Sequence, residues 1–408
     1  MSKLKVWLVT PFSPLPGEGW GGVKTHAEYL AKLLLELGAD LTVILPEGIS
    51  RPGIAPAGFT VVSVPCAAQP HTAEWRAAMR DTAEALLRQA VPALVISEGY
   101  YAAGCENALK RAGVPLAAFV HNFHLVHFYK IFSEVDGPGT LARYILKSAP
   151  LIAFKMVTAE LPFLRRADAV LSVSERNASL LSRFYRIPES RLHVLHNWVN
   201  TAVFRPEPGL REKERGRLGL SPGQTCFLAA GSLWRPKGFH VAIEAFKRLA
   251  ERDPGAVLML AGEGPEEKSL RALAGPELLR GGRIKFLGRV LLSELPSAYN
   301  AADIFLMPSI HPEGLAYTLI EAMACGLPAI ATALGGNVET LGDCGVLIPP
   351  SDVEQLAVAM RRLASDKERR AAMGLSSAAR ASEMFSSGAA AGKLAEIFKA
   401  LTGLKTEI

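Results

Sequence analysis

Two glutamates, Glu313 and Glu321, lie eight positions apart in the stretch ADIFLMPSIHPEGLAYTLIEAMACGLPAIATALGG, which runs from Ala302 to Gly336. Glu313 falls in a polar loop, and Glu321 about one turn into a helix that the sequence starts between Ala316 and Thr318. The amides of Gly314, Leu315 and Ala316, with Thr318 just beyond, open that helix. First-turn amides have no intrahelical acceptor and carry the positive end of the helix dipole, so they offer a seat for a phosphate. A carboxylate on either side can take hydroxyls, one set from a sugar and the other from a ribose.

The elements that must position this pair are buried strands. Asp303–Met307 and Pro328–Ala331 are apolar runs bounded by Pro and Gly, the form taken by parallel strands covered on both faces. The same alternation recurs along the chain. KVWLV leads through Gly21-Gly22 into a helix ended by Gly38, and the strand Leu41–Leu45 follows. Further strands are expected at Leu94–Ser97 and Leu116–Val120, and the second delivers His121 at the edge where open α/β sheets bind ligands. Ser174 is placed to cap the helix after ADAVLSVS. After Pro206–Gly209, a breaker cluster suited to a hinge, TCFLAAGSLWRPKGFH, AVLMLAGEGPEEKSL and RIKFLGRV continue the pattern.

The flanks PSIHPEGLAYTLIEAMACGLPAIAT and GGNVETLGDCGVLIPPSD resemble the E-x7-E region of retaining glycosyltransferases of the family 4 type. GGVKTHAEYLAKLLLELGADLTVI, ADAVLSVSERNASLL and LHVLHNWVNTAVFRP resemble the same family. The resemblance implies an α/β fold of GT-B architecture, two Rossmann-like doubly wound domains facing across a cleft. It implies an acceptor-side domain over 1–205, a nucleotide-sugar domain over 206–385, and a last helix (386–408) returning to the first. The implied activity is transfer of a hexosyl unit from a nucleotide diphosphate sugar to a glycan or lipid-linked acceptor. A sugar phosphorylase or sugar-phosphate synthase on the same site, and a non-catalytic sugar-nucleotide-binding subunit, are the alternatives.

Carried over residue by residue, the resemblance makes Glu313 and His121 catalytic. Glu313 holds the sugar's hydroxyls and His121 sits opposite the anomeric centre, while Glu321 accepts from the ribose. Gly21 and Gly22 approach the donor phosphates, and the backbone at Arg289-Val290 reads the base. A leaving diphosphate needs a metal or fixed cations and dipoles. No Asp-x-Asp pair is present, so no metal and no cofactor are expected, and Lys237, Arg235 and the helix opening at Gly314–Thr318 substitute. The chain departs from the family pattern at Ser232, where an Arg is usual, and a hydroxyl cannot grip a phosphate bidentately. It departs again at Leu315-Ala316, where Phe-Gly is usual, which requires a backbone with negative φ.

Composition narrows the rest. With 408 residues, 49% of them apolar, the chain suits two domains. Five scattered cysteines form neither a disulfide framework nor a metal knuckle. No run is apolar enough to span a membrane and no signal peptide is read, so a cytoplasmic protein is expected, with a peripheral place on the inner face of a membrane left open. Residues 1–205 hold 21 Lys+Arg against 16 Asp+Glu, a surplus of 5. Contact with an anionic membrane fits that surplus, ordinary solvated surface fits it better, and no nucleic-acid module is present. Residues 137–166 read as a basic, weakly amphipathic helical region that could lie against a membrane surface, with packing on its own domain the preferred reading. Gly262-Glu263-Gly264 lacks the third glycine and acidic residue of a dinucleotide site. His124 and His127 are as suitable as His121 by chemistry alone, and the three together suggest a metal at i, i+3, i+6. That metal is set aside because i, i+6 does not share one helix face and no carboxylate or Cys partner is placed nearby.

Overall fold

The computed structural model describes residues 4–15, 21–49, 57–129, 131, 135 and 137–403. The chain divides into two compact units, the first comprising Met1–Phe128, Gly137–Asn197 and Gly388–Ile408 and the second Tyr129–Asp136 and Trp198–Ser387.

The first unit holds seven parallel strands: β1 (Lys5–Val9), β2 (Asp40–Pro46), β3 (Phe59–Val64), β4 (Leu94–Glu98), β5 (Leu116–Val120), β6 (Ala169–Ser172) and β7 (Leu192–Val194). Their order is β3-β2-β1-β4-β5-β6-β7. Every residue of β4, β5 and β6 is buried, whereas the edge strands β3 and β7 are half-exposed. That contrast follows from helices covering both faces of the centre but not its rims. Helix Ala73–Gln89 presses Trp75, Met79 and Ala83 into the core beside β4 and β5.

The second unit repeats the plan with β8 (Thr225–Ala230), β9 (Ala256–Ala261), β10 (Ile284–Gly288), β11 (Ile304–Met307), β12 (Ala329–Thr332) and β13 (Gly345–Ile348), ordered β10-β9-β8-β11-β12-β13. Its central strands β8, β9, β11 and β12 are buried almost throughout. In each sheet the order reverses once, between β1 and β4 and between β8 and β11. Loops diverge at such a switch point and leave a crevice at the strands' carboxyl ends.

Pro206–Gly209 is not a free hinge. Pro208 occupies the first turn of helix Pro208–Arg217, where a missing N–H costs nothing. The segment before it is clamped by Asn300, whose Oδ1 accepts from Glu207 N at 2.7 Å and whose Nδ2 donates to Arg205 O at 3.1 Å. The boundary between units falls earlier, at Asn197/Trp198. All five cysteines are free thiols, and no helix among the described residues is long and apolar enough to cross a membrane.

Candidate active site

In the second unit the loops after β8, β9, β11 and β12 pack backbone on backbone, and glycine makes this possible. A Cβ on Gly262 would sit 1.8 Å from Gly231 O, and one on Gly264 2.5 Å from Leu233 O. The Gly-Glu-Gly run therefore seats one loop on its neighbour rather than cradling a dinucleotide. Gly238, at φ +71°, approaches Pro308 O so closely that a Cβ would lie 1.9 Å away. That contact holds the single 3-10 turn Arg235–Lys237 against the loop after β11.

Lys237 Nζ consequently donates to Glu313 Oε1 at 2.7 Å, and Ser309 Oγ donates to the same oxygen at 3.1 Å. Both bonds use Oε1, so Oε2 has no partner among the described residues and is available for a hydroxyl. Gly335 and Gly336 lock the loop from the other side. Gly336 N donates to Glu313 O at 2.8 Å, and a Cβ on Gly335 would meet that oxygen at 2.2 Å.

The helix beyond Glu313 runs Tyr317–Ala324, with Ala316 as its N-cap at φ −77°. This is ordinary backbone for an L-residue, so alanine at this position strains nothing. The amides of Gly314 and Ala316 donate to no acceptor among the described residues, which leaves them for an anion. Glu321 lies one turn in, 2% exposed, and accepts from Tyr299 Oη at 2.7 Å. Burial pushes its carboxyl up to about 7, against the pull of the tyrosine hydrogen bond.

The remaining donor-site candidates are placed as follows. Arg235 is exposed and Ser232 half-buried, and neither side chain has a hydrogen bond or ion pair among the described residues. Arg235 still leaves its mark nearby: with burial as the larger cause, its charge helps hold His240 down at about 4. Val290 follows the edge strand β10 at its carboxyl end, half-buried.

In the first unit His121 directly follows β5, and it is not alone. Glu98, the last residue of β4, spans two imidazoles, with Oε1 2.7 Å from His26 Nδ1 and Oε2 2.5 Å from His121 Nε2. The rings of His26 and His121 meet edge-on with centroids 4.2 Å apart, and Phe119 stacks on His121. Asn177, in the helix that Ser174 caps as expected, donates to His121 O at 3.2 Å. Burial alone would raise the Glu98 carboxyl, but the two imidazoles outweigh it and hold Glu98 below the usual carboxylate range. Burial lowers His26, so a neutral His26 donates from Nδ1–H to a carboxylate.

Sequence reasoning singled out neither His26 nor Glu98. The available signal was a charged residue closing an otherwise apolar strand, LVISE, at a sheet's ligand edge. Those three side chains also form the only cluster among the described residues with metal-ligand proximity. Both carboxylate oxygens are already engaged by the rings, so the geometry is that of a hydrogen-bonded triad. Gly21, at φ +120°, precedes helix Gly22–Glu36, which carries His26, and both glycines are exposed, with no described residue near a Cβ on Gly21. His124 does have a carboxylate beside it: Glu160 accepts from His124 N at 2.9 Å, lies 3.0 Å from its Nδ1, and also accepts from Tyr185 Oη. The absence of a nearby carboxylate, true along the sequence, fails in space.

Two family models match, one within each half of the chain: "Glycosyltransferase Family 4" over residues 20–203 and "Glycosyl transferases group 1" over 211–380. The chain belongs to glycosyltransferase family 4. A GDP-mannose-dependent alpha-(1-6)-phosphatidylinositol monomannoside mannosyltransferase of Mycolicibacterium smegmatis is 32% identical over 217 residues, covering 51% of this family 4 chain and 56% of that protein. The D-inositol 3-phosphate glycosyltransferase 1 of Catenulispora acidiphila is 27% identical over 90% of this chain and 88% of that one. Several curated relatives are thus matched over little more than half their length. Among solved structures, sucrose-phosphate synthase from Thermosynechococcus elongatus superposes with a TM-score of 0.77 at 20% identity, covering 98% of this chain and 100% of the other. The family 4 chain therefore has the GT-B fold.

Proposed function

We propose that this protein is a retaining, metal-independent glycosyltransferase that moves a hexosyl unit from a nucleotide diphosphate sugar to a glycan or lipid-linked acceptor. The observation that carries the reading is the pair of unlike carboxylates around one helix opening. Glu313 keeps a free oxygen beside Lys237, and Glu321 sits buried behind unpartnered amides. Glu313 holds the sugar's hydroxyls, and Glu321 accepts from the ribose. Lys237 and the amides of Gly314 and Ala316 take the charge of the departing diphosphate, with Arg235 and Thr318 beside them. Ser232 contributes a hydroxyl where the family usually has a guanidinium. Gly21 and Gly22 admit phosphate to bare backbone, and Val290 marks the strand end that reads the base.

To His121 we assign orientation of the transferred sugar and stabilisation of charge at its anomeric carbon, with Glu98 and His26 as positioning residues. The acceptor oxygen attacks that carbon as the bond to the diphosphate oxygen breaks. The acceptor's proton passes to the leaving oxygen on the same face, so no second carboxylate is needed as a nucleophile.

Calorimetry with UDP, GDP and ADP, with and without EDTA, tests the donor site. GDP comes first, because the relatives named for GDP-mannose point there. One diphosphate binding equally well in EDTA is expected, followed by transfer from the matching sugar with its anomeric configuration retained by NMR. Binding that requires a divalent ion overturns metal independence. Binding with no turnover on any acceptor overturns the enzyme and leaves a sugar-nucleotide-binding subunit. Turnover only with inorganic phosphate makes it a phosphorylase.

A further inference from the structure

Residues 138–166 fold as one continuous helical rod, α-helical over Pro138–Arg143, Ala149–Lys155 and Leu161–Arg166 and π-helical over Tyr144–Ser148 and Met156–Glu160. Its inner side packs as expected, with Tyr144, Ile152, Ala159, Phe163 and Leu164 buried. Its outer side does not look like the outside of a solvated helix. Leu141, Ile145, Leu146, Leu151, Phe154 and Val157 are all exposed, Leu146 by 75%. They are six of the seventeen large apolar side chains exposed among the described residues, gathered within a stretch of seventeen. The wider π turn lets Leu146 and Leu151, five residues apart, continue one stripe that Phe154 and Val157 extend.

Charge decides what covers this stripe. Arg143, Lys147 and Lys155 flank it, and none is ion-paired among the described residues. The one acid within residues 138–166, Glu160, is buried and taken up by His124 and Tyr185. At the edge of the stripe, Phe154 and Thr158 line a cavity of about 530 Å³ shared with Arg76, Arg80 and Arg111. Its one acidic wall, Glu84, is bound by Arg111 at 2.8 Å, and Arg80 pairs with Asp81 at 2.9 Å. Arg76 donates through Nη2 to Thr158 O at 2.8 Å, while its Nε has no hydrogen-bond partner among the described residues. An apolar stripe without exposed acids, rimmed by free cations and next to an arginine-lined recess, matches a layer of acyl chains under anionic headgroups.

We propose that this face, Leu141 to Val157, docks the protein peripherally on an anionic lipid bilayer, with Leu146, Leu151 and Phe154 entering the acyl boundary and Arg143, Lys147 and Arg76 meeting headgroups. The inference deepens the reading above by giving a lipid-linked acceptor a place to be met, and its test uses no donor. Vesicles of phosphatidylcholine alone and with 30% phosphatidylglycerol are sedimented with the intact protein at 0.15 M salt. Binding to the anionic vesicles only is expected, weakening as salt rises. Leu146→Glu/Phe154→Glu and, separately, Arg143→Glu/Lys147→Glu should each reduce it at least tenfold while circular dichroism and nucleotide binding stay unchanged. Equal binding to both vesicles, or variants that bind like wild type, overturns the proposal. So does a concentration-dependent dimer abolished by Leu146→Glu in a chain that ignores vesicles, which would make the face a contact between copies. If nucleotide fails to bind while vesicles do, the donor-site reading falls and this one stands.

Discussion

Glu98 and Glu321 are two carboxylates buried to the same 2% exposure, one in each unit, and they are displaced in opposite directions. Burial pushes both toward the neutral acid. Glu98 meets two imidazoles, one on each oxygen, and stays ionised. Glu321 meets one phenol, and burial wins, to about 7. Burial therefore sets only a default, and the number and kind of donors decide the protonation state. The outcomes suit different tasks. A carboxylate saturated by two rings fixes His121 in place, whereas one held near neutrality with a single partner retains hydrogen-bonding capacity for a ligand.

The largest expected effect comes from breaking the first arrangement. Glu98→Gln offers one acceptor and one N–H₂ group, so one imidazole loses its carboxylate oxygen. Stability at pH 7 should fall by roughly 2–3 kcal/mol, the scale of hydrogen bonds to a charged group, and kcat by roughly 10²-fold if His121 is misaligned. Because the folded carboxyl titrates below its ordinary value of 4.5, its stabilisation is complete above that pH and is lost as pH falls toward the folded value. The deficit of Glu98→Gln should accordingly shrink between pH 7 and pH 3.5 in urea titrations. A deficit constant across that range would mean that the rings do not hold the carboxylate ionised.

Glu321→Gln should act with the opposite sign. The folded carboxyl lies above its unfolded value, near 7 against 4.5, so the folded chain keeps a proton that the unfolded chain releases. Wild-type stability therefore drops as pH rises between those values and levels off above them. A non-titrating glutamine escapes that drop. The variant should gain on wild type by up to about 3 kcal/mol between pH 4.5 and pH 8, as read from denaturation midpoints. Nucleotide binding should move the other way, weakening by about 1–3 kcal/mol. Wild-type affinity should rise with pH until about 7 as the carboxylate forms to receive the ribose, and the variant's should be flat.

Much of the plan was legible in residues. Continuous apolar runs such as LAAFV and TCFLAA read as doubly covered parallel strands and are strands, and the helix expected to begin near Ala316–Thr318 begins at Tyr317. The roles assigned around Glu313 and Glu321 came from a resemblance carried by a local run of sequence. The triad was harder to see, because His26, Glu98 and His121 are brought together by strand order and are separated by 72 and 23 residues. Tyr299 was missed for the same reason, as helix Leu295–Ala301 reaches Glu321 only across the packed second unit. Along 137–166 the weak amphipathicity left a membrane surface open but favoured packing on the chain's own domain. Which apolar side chains face out depended on two π turns that propensity does not announce.

The finest test of the contrast alters the donor and leaves the carboxyl alone. Tyr299→Phe removes the hydrogen bond that opposes burial at Glu321 while keeping the ring that packs beside Phe204 and Phe305. The cost near pH 6, where Glu321 is largely the neutral acid, should be about 1 kcal/mol, that of an ordinary hydrogen bond. At pH 8 it should be larger, because an ionised carboxylate then lacks its donor. The pH at which nucleotide affinity levels off should move above 7, since burial now acts unopposed, and isothermal titrations from pH 6 to pH 9 would follow it. An unmoved midpoint with a uniform 1 kcal/mol loss would show that the phenol merely packs, and that desolvation alone sets Glu321 near neutrality.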